Sequence, residues 1–377
     1  MKQLHILFLA SWYPSRILKS NGDFIQRHAE AVSLKHKVSV IHVKSDDNLR
    51  DKIEISDKNI NGIRTIIAYV KNSKNPFLKW YRFIKAYKLL IKMTTPFDVI
   101  HVNKFYPGGF FAYRLKKKKN IPYIITEHHT LYHKPYNEQI GFIEKFISKI
   151  IVKNANFVCP VSDDLGEAMQ KFGLDGNYFS VPNVVDTERF TPSYNKKNKT
   201  FNILHISSMA YVKNIKGLLN VVKQLENKIT DFHINVIGGN AEDYNADAKK
   251  LNIDLSKITF KNQVPHKEVV NYFQNADVFV LFSDVENLPC VILESFSCGT
   301  PVISTDVGGI SEYFPNDYGL LIEPRNETEM VSSILKIFNS KSPNKQEMHK
   351  YVVDTFSNKQ ICNVFTGLYL KSLNKIK

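Results

Sequence analysis

The stretch from Ala276 to Thr305 constrains the fold more than any other part of the chain, because it encodes a complete strand–helix–strand unit. Ala276 to Phe282 is an apolar run with the length and β-branched content of a buried parallel strand. Pro289 suits the first position of a helix of about ten residues, and Gly299 is placed to end that helix in the left-handed conformation. Pro301 to Thr305 then predicts the next strand of a parallel sheet.

Two carboxylates mark this unit as a candidate binding site. Glu286 precedes the helix and Glu294 lies inside it, so both should lie near the carboxyl ends of the strands, where open α/β sheets bind ligands. Either residue alone is as typical of dipole compensation at a helix N-terminus. The next strand is followed by Val307-Gly308-Gly309-Ile310, and a glycine pair there lets backbone N–H groups approach a phosphate. Together these features predict a nucleotide-sugar site, with both glutamates at solvent-side positions.

This arrangement resembles the donor site of a known family. Glu286 and Glu294 stand either side of seven residues, and the words Ser-Cys-Gly-Thr-Pro-Val-Ile and Val-Gly-Gly-Ile-Ser-Glu follow them. In this order they resemble the donor-site signature of the family 4 retaining glycosyltransferases. The resemblance implies an α/β architecture of the GT-B type, with two facing Rossmann-like domains and an interdomain cleft. It spans nearly the whole chain and is more specific in the C-terminal half.

The length of 377 residues suits two domains. We expect an N-terminal acceptor-side domain over residues 1–190 and a C-terminal donor domain over residues 191–356. The polar segment Ser193–Thr200 is the best candidate for a linker. The resemblance further implies that a C-terminal helix, from about residue 357 to residue 377, packs back on the first domain.

The charge of the chain is distributed unevenly. Residues 1–150 carry 27 Lys and Arg against 11 Asp and Glu, a net +16, whereas the other 227 residues carry 24 against 25, a net −1. A basic half predicts an acidic partner surface, and both anionic lipid and nucleic acid qualify. The four cysteines lack metal-type C-x-x-C spacing and are typical of buried thiols in a reducing, cytoplasmic compartment. No apolar run is long enough to predict a membrane span.

In the first half, two places resemble family site motifs. Gly22 and Asp23 end the loop after the first strand, and they resemble the family loop that meets the donor phosphates and the acceptor. A flexible surface loop is the alternative reading. His128 belongs to a Thr-Glu-His sequence that in the family lies near the transferred sugar, although a histidine beside a strand end is also typical of a structural role. His101, on a predicted strand, is interpreted as a core histidine with satisfied hydrogen bonds.

In the second half, the family pattern has an Arg and, five residues later, a Lys that hold the donor diphosphate. Lys213 matches the Lys, with a solvated surface lysine as the alternative, but Ser208 occupies the Arg position. Losing an Arg removes a charge and a bidentate phosphate contact, so either Lys216 compensates or the donor is held differently. Gly238 begins a second glycine pair after a strand and is a further candidate for substrate binding.

The resemblance implies a retaining hexosyltransferase-type enzyme that uses a UDP or GDP sugar and needs neither a metal ion nor a cofactor. Glu294 would hold the ribose hydroxyls and Glu286 the 3- and 4-hydroxyls of the sugar. Lys213, with the amides of Gly308 and Gly309, would stabilise the leaving diphosphate. The acceptor would be a glycan or a lipid-linked sugar in cell-surface polysaccharide synthesis.

Three alternatives remain open on the sequence. A sugar-nucleotide epimerase of the same fold would keep the donor site but need water or a base where the acceptor enters. A phosphorylase-like enzyme would depend on a cofactor or inorganic phosphate. A basic nucleic-acid-binding protein would fit the isoelectric point near 9.4, although no DNA- or RNA-binding motif is present.

One predicted helix, within Pro76–Met93, combines aromatic and basic residues. Its aromatic and aliphatic side chains at helical spacing are Phe77, Trp80, Tyr81, Ile84, Tyr87 and Ile91. Lys79, Arg82 and Lys85 flank them, which is typical of a helix that lies on an anionic bilayer. The alternative is that the apolar face packs on the sheet and only the basic residues are solvated.

Overall fold

A computed structural model describes residues 2–194 and 200–374 of the chain. The predicted linker therefore lies largely outside the described residues, as do the last three residues of the predicted C-terminal helix. The described strands are β1 (His5–Ala10), β2 (Lys37–Asp46), β3 (Ile53–Ile60), β4 (Ile63–Lys71), β5 (Val99–Asn103), β6 (Tyr123–Glu127), β7 (Phe157–Pro160), β8 (Phe201–Ile206), β9 (Phe232–Ile237), β10 (Ile258–Lys261), β11 (Val278–Leu281), β12 (Val302–Thr305) and β13 (Gly319–Ile322). The described α-helices are α1 (Asp23–Ser33), α2 (Pro76–Thr94), α3 (Gly109–Lys119), α4 (Phe142–Lys153), α5 (Asp163–Lys171), α6 (Ile215–Leu225), α7 (Asn245–Lys250), α8 (His266–Asn275), α9 (Cys290–Ser297), α10 (Glu327–Phe338), α11 (Lys345–Phe356) and α12 (Asn358–Asn374).

The chain folds into two compact units. One contains the chain up to Val184 together with the segment from Asn358 onward, and the other contains Val185–Ser357. Residues 185–190 pack in the second unit because the Phe190 ring is fully buried there against the Phe273 ring, 6.2 Å between centroids. Within the described ranges, no helix combines the length and hydrophobicity needed to cross a membrane.

The first unit is built on a seven-stranded sheet with strand order β3-β4-β2-β1-β5-β6-β7. All its strands are parallel except β3, which pairs antiparallel with β4. The last helix, α12, packs on α1 and buries Phe365 and Tyr369 beside the sheet. His101 accepts or donates hydrogen bonds at both ring nitrogens, to the Tyr369 hydroxyl at 2.7 Å and the Thr126 hydroxyl at 2.6 Å, so its interpretation as a satisfied core histidine is confirmed.

Residues 53–71 form a β-hairpin, and its first strand, β3, was not predicted from the sequence. Strands β3 and β4 are joined by a two-residue turn at Asn61-Gly62, both with positive φ. An Asn-Gly pair is the strongest short-range signal of such a turn. Strand β3 lies at the edge of the sheet, and none of its residues is fully buried, so its sequence is polar and lacks the apolar pattern that predicts a strand.

The second unit is built on a six-stranded parallel sheet with strand order β10-β9-β8-β11-β12-β13. The predicted strand–helix–strand unit is present as β11, α9 and β12. Gly299 has φ +70, the left-handed conformation expected after the helix. The helix has eight residues rather than about ten, and Pro289 is its N-cap rather than its first residue. Two Rossmann-like α/β units are therefore confirmed.

Candidate functional site

The first predicted glutamate of the second unit forms a buried ion pair. Glu286 lies in the loop after β11 and is 7 % exposed. Its Oε1 accepts hydrogen bonds from the Lys213 ammonium and from the Ser283 hydroxyl, the latter at 2.8 Å. Lys213 reaches it from the turn between β8 and α6, where the Asn214 side chain caps α6 by accepting from the Gly217 N–H. Two neighbouring strand ends thus place a cation and an anion together.

The predicted glycine loop lies directly against Glu286. Gly308 has φ +61, and a Cβ added there would stand 2.0 Å from the Glu286 carbonyl oxygen. Only glycine permits this approach. The Gly309 N–H donates to the Asn287 carbonyl at 2.9 Å, so that amide is already used and the predicted role of Gly309 as a phosphate donor is not available in this conformation. Val307 continues the loop, and Ile310 anchors it with a side chain only 2 % exposed.

The second glutamate, Glu294, has a partner that the sequence did not predict. Glu294 is 2 % exposed, and its Oε1 lies 2.9 Å from Nε2 of His266, the first residue of α8. The imidazole of His266 packs against the Phe190 ring, 5.1 Å between centroids. The Phe190 ring packs against one side of the His266 imidazole, and the imidazole in turn holds the Glu294 carboxylate in place.

The expectation that both glutamates occupy solvent-side positions is wrong. Each carboxylate is almost fully buried, and each lies within hydrogen-bonding distance of a basic side chain. A buried carboxylate is tolerated only when such partners compensate its lost hydration. Simple dipole compensation at a helix end therefore does not account for either residue.

Ser208, which occupies the position of the Arg in the family pattern, lies on a cavity of ≈ 480 Å³. Ser208 and Lys216 both line it, together with Gly239, Asp243 and Asp247. The glycine pair Gly238-Gly239 has positive φ at both residues, and a Cβ on Gly238 would stand 2.1 Å from the Ser207 carbonyl oxygen. Close backbone packing beside Ser208 thus explains why Gly238 is glycine, whether or not it contacts a ligand.

A second cation near this place was missed by the sequence reasoning. Arg325, after β13, holds the Asp284 carboxylate through two hydrogen bonds, 3.0 Å from Nε to Oδ1 and 2.8 Å from Nη2 to Oδ2. The Asp284 N–H donates to the Val212 carbonyl at 2.7 Å, next to Lys213. Arg325 and Lys216 line one cavity of ≈ 350 Å³. The only sequence signal was an Arg shortly after a strand end.

In the first unit, Gly22 and Asp23 begin helix α1. Gly22 has φ +76, and a Cβ there would stand 2.6 Å from the backbone carbon of Trp12. The Asp23 carboxylate accepts from the Phe24 N–H at 2.9 Å and pairs with Arg27 at 2.7 Å. These contacts show a fixed helix start rather than a flexible loop, and they engage the Asp23 side chain within its own helix.

His128 lies at the end of β6, close to this helix start. Its ring packs at a tilt against Phe24 at 4.5 Å and against His28 at 5.3 Å, measured between centroids. Burial, and then the neighbouring His28 and His101, hold the pKa of His128 well below its usual range. His128 is therefore a neutral imidazole near pH 7, able to hydrogen-bond to a hydroxyl but not to supply a positive charge.

The turn that carries His128 is set by the residue before it. Glu127 is fully buried, and its Oε1 accepts from the N–H groups of His128 and His129 at 2.9 and 3.0 Å. Burial raises the pKa of Glu127, and these two hydrogen bonds oppose that rise. Trp12 packs on the His129 ring at 4.9 Å, so Gly22, Asp23 and His128 are brought to one end of the first sheet.

Within residues 2–194 and 200–374, no three His, Cys, Asp or Glu side chains converge in a way that could hold a metal ion. The cations that the second unit offers near the candidate site are Lys213, Lys216 and Arg325.

Comparison with known families decides the relationship of the chain. The model described as "Glycosyl transferases group 1" matches residues 186–353, and the model described as "Glycosyltransferase Family 4" matches residues 26–189. The protein is a group 1, family 4 glycosyltransferase. The two matches meet near the boundary between the two units.

Relatives with curated names are distant but agree with this family. A Bacillus subtilis protein named provisionally as the teichuronic acid biosynthesis glycosyltransferase TuaC is 28 % identical over 63 % of this chain and 61 % of its own length, so less than two thirds of that relative is covered. The Escherichia coli UDP-Gal:alpha-D-GlcNAc-diphosphoundecaprenol alpha-1,3-galactosyltransferase is 26 % identical over 73 % of each chain.

Solved structures share the fold across almost the whole length. Sucrose-phosphate synthase from Thermosynechococcus elongatus has a TM-score of 0.79 at 18 % identity, covering 99 % of this chain and 100 % of that one. Anabaena HepE in complex with UDP and glucose has a TM-score of 0.75 at 15 % identity, covering 97 % and 99 %. At these identities the likeness establishes the fold, the GT-B type.

Proposed function

We propose that this glycosyltransferase moves a hexose from a nucleoside-diphosphate sugar to a glycan or lipid-linked acceptor, with retention of anomeric configuration and without a metal ion. Two relatives support the substrate classes. The E. coli relative is named for UDP-galactose and a diphosphoundecaprenol-linked sugar, and HepE was solved with UDP and glucose. The name of the B. subtilis relative points to cell-surface polysaccharide synthesis.

The observation that carries the proposal is the Lys213–Glu286 ion pair under the Gly308 loop. Glu286 would accept hydrogen bonds from the sugar hydroxyls, and Lys213 would face the diphosphate. In the reaction the bond from the anomeric carbon to the phosphate oxygen breaks, and its electron pair stays on the diphosphate. Fixed cations and amide donors that face this growing charge lower the barrier.

The acceptor hydroxyl then forms the new bond to the anomeric carbon from the side that the diphosphate leaves. Its proton passes to the departing phosphate oxygen, which balances the step without a protein nucleophile. Glu294, steadied by His266, would bind the ribose hydroxyls of the nucleotide. Gly22, Asp23 and His128 would serve the acceptor and the transferred sugar, with the neutral imidazole as a hydrogen-bonding group.

We further propose a cytoplasmic location, supported by the cysteines. Cys159, Cys290, Cys298 and Cys362 all carry free thiols in the described chain, and all are buried except Cys290, which is partly exposed. Burial raises the pKa of the Cys159 and Cys298 thiols, which makes them poorly reactive. Free, buried thiols are typical of a reducing compartment.

The first experiment is a thermal-stability screen over UDP, GDP and ADP sugars. A donor at about a hundredfold excess over its Kd should add about 2.7 kcal/mol to the free energy of unfolding. Incubating that donor with and without candidate acceptors then separates transfer from epimerisation. Failure of every nucleotide sugar to stabilise the protein would contradict the proposal.

Retention can be tested before the acceptor is known. Slow hydrolysis of the donor releases a sugar whose anomeric proton signal can be followed by NMR before mutarotation. A retaining enzyme releases first the anomer present in the donor. Release of the opposite anomer would contradict the retaining mechanism while leaving the donor site unaffected.

A further inference from the structure

Two helices of the first unit expose large apolar side chains at their N-terminal turns. On α2, Phe77 is 83 % and Trp80 is 66 % exposed, and on α4, Phe142 is 84 % and Ile143 is 71 % exposed. Tyr81 and Phe146 extend these two groups. Single exposed apolar residues are common on protein surfaces, whereas several large ones close together on one helix turn indicate an interaction surface.

The structure divides the predicted aromatic stripe of α2 in two. Tyr87 is buried and stacks on Phe111 of α3 at 4.9 Å, so the C-terminal part of the helix packs on the protein. Phe77, Trp80 and Tyr81 stay exposed. The packing alternative therefore holds for the C-terminal half of the helix, and the membrane interpretation stays a prediction for the exposed N-terminal half.

The exposed groups of α2 and α4 lie at the same edge of the same helical layer. The connections β4 to β5, β5 to β6 and β6 to β7 all step in one direction along the sheet order, so right-handed crossovers place α2, α3 and α4 on one face. Crossover helices run back along the sheet, which puts their first turns at the carboxyl ends of the strands. Contacts agree, since Tyr87 of α2 stacks on α3 and Gly109 of α3 backs onto Ile151 of α4.

This helical layer is strongly basic. Helices α2, α3 and α4 carry five, five and three Lys or Arg residues, thirteen together, against the single acidic residue Glu144. Lys79, Lys85 and Lys88 are exposed on α2 beside the aromatic residues. The occupant of this face must therefore be anionic and must accept apolar side chains.

We propose that the N-terminal turns of α2 and α4 dock this protein on an anionic lipid bilayer. We call this surface the docking face and define it by Phe77, Trp80, Tyr81, Phe142, Ile143 and Phe146 with the lysines of α2. The apolar groups would enter the region between headgroups and acyl chains, while the lysines contact the headgroup phosphates. The carboxyl edge that carries Gly22 and His128 would then lie near the membrane surface.

The charge of the docking face argues against the other occupants. A second copy of this chain in a self-complementary dimer would set basic residues against basic residues. A nucleic acid would satisfy the charge, but Phe142 and Ile143 protrude from a helix end rather than lining a groove or sheet on which bases stack. A bilayer satisfies both the charge and the apolar protrusions.

Arg82 does not belong to the docking face, although its sequence position suggested that it did. Its Nη1 donates to the Lys71 carbonyl at 2.6 Å and to the Asn72 carbonyl at 3.2 Å, so it fixes the end of β4. Charge reversal at Arg82 would therefore damage the fold as well as the surface. Lys79, Lys85 and Lys88 are the better test positions.

The binding experiment is sedimentation with vesicles of phosphatidylcholine alone or with about one third phosphatidylglycerol. The protein should pellet only with anionic vesicles, and less when salt is raised from about 0.1 to about 0.5 M. Each of Lys79→Glu, Lys85→Glu and Lys88→Glu should weaken binding about fivefold or more. Phe77→Ser with Phe142→Ser should weaken it by at least about tenfold.

Matched control variants lie elsewhere on the first unit. Leu34, 61 % exposed at the end of α1, is on the opposite face of the sheet, and Lys37 is exposed at the start of β2. Leu34→Ser and Lys37→Glu should bind vesicles as the wild type does. All variants should keep the wild-type melting temperature and nucleotide-sugar binding, which separates loss of docking from loss of the fold or of the proposed activity.

Fluorescence locates the contact. Trp12 and Trp80 are the two tryptophans, and only Trp80 is strongly exposed. Anionic vesicles should shift the emission to the blue, brominated lipid should quench it, and Trp80→Phe should abolish both effects while keeping most of the binding. Equal recovery in the supernatant with both lipids would overturn the proposal, as would tighter binding to duplex DNA than to vesicles, or a dimer that the Phe77→Ser, Phe142→Ser variant disrupts.

Discussion

The ammonium of Lys213 donates a hydrogen bond to the carboxylate of Glu286 inside the second unit, and neither side chain is more than 17 % exposed. The two residues come from loops 73 positions apart in sequence, each following a strand of the same sheet. Before any donor binds, each charge is therefore neutralised by the other. A bound donor would replace this ion pair by two contacts to the ligand, one from Lys213 to the diphosphate and one from Glu286 to the sugar hydroxyls.

Removing one partner of this pair should cost more stability than removing both. Lys213→Met leaves a buried carboxylate and should lower the free energy of unfolding by about 3 kcal/mol. The double variant Lys213→Met, Glu286→Gln should recover most of that loss but stay inactive. Denaturant unfolding of Lys213→Met, of Glu286→Gln and of the double variant, each compared with the wild type, measures the coupling. Additive losses would show that the pair does not form.

Glu286→Gln alone should lower kcat by about a hundredfold or more, because a carboxylate beside the sugar helps most when positive charge develops in the transition state. Its KM for the donor should change less. Steady-state kinetics with the donor found by the stability screen provide the measurement. Full specific activity in this variant would make Glu286 structural.

Glu294 should respond differently, since a contact with ribose is about equally strong in the ground and transition states. Glu294→Gln should chiefly raise the donor KM. His266→Asn should raise it in the same direction but by a smaller factor, because His266 acts by holding the Glu294 carboxylate at 2.9 Å. A kcat effect in His266→Asn without a KM effect would contradict this positioning role.

The sequence predicted the elements around the two glutamates well, because they are short and buried and because proline and glycine residues mark their ends. The predicted strand–helix–strand unit is present as β11, α9 and β12, and Gly299 ends α9 as expected. It did not predict that His266 pairs with Glu294 or that Arg325 pairs with Asp284, since each basic residue comes from a segment distant in sequence whose approach depends on packing.

Gly308 tests the geometry of the donor loop. Gly308→Ala combines left-handed backbone strain with a Cβ 2.0 Å from the Glu286 carbonyl oxygen, so donor binding should be lost. Gly62→Ala is the matched control, since it has φ +81 but no atom within 4 Å of the added Cβ. It should cost only about 1 kcal/mol of stability and keep donor binding. Similar effects of both variants would show that the close approach is unimportant.

Substitution of Ser208 tests how the protein binds the donor diphosphate without the Arg that the family pattern has at this position. Ser208→Arg should tighten donor binding by about 1–2 kcal/mol through a charge-assisted contact. Lys216→Ala should weaken it, whereas Lys228→Ala, at an exposed lysine elsewhere in the unit, should not. Calorimetric titration supplies the affinities. If Ser208→Arg leaves the donor affinity unchanged, Lys216 or Arg325 already supplies the phosphate contact. Combining Ser208→Arg with Lys216→Ala, and separately with Arg325→Ala, will identify which residue does so.

Buried histidines should make the protein sensitive to acid. Burial lowers the pKa of His42 to about 4, with its hydrogen bond to the Ala10 carbonyl opposing the shift. An unfolded histidine takes up its proton near pH 6.5, so stability is complete above that pH and falls as the pH drops toward 4. His42→Asn keeps a donor toward Ala10 and should flatten this decline by up to about 3 kcal/mol. An unchanged slope of stability against pH would contradict the assignment.

The most direct test of the donor site is calorimetric titration of one nucleotide sugar into the wild type, Lys213→Ala and Glu294→Gln, with Glu268→Gln as the control. Glu268 lies on α8 beside His266 but is exposed. We expect saturable 1:1 binding to the wild type and to Glu268→Gln, and at least about tenfold weaker binding to the other two variants. Equal affinity in all four proteins would contradict the assignment of the donor site.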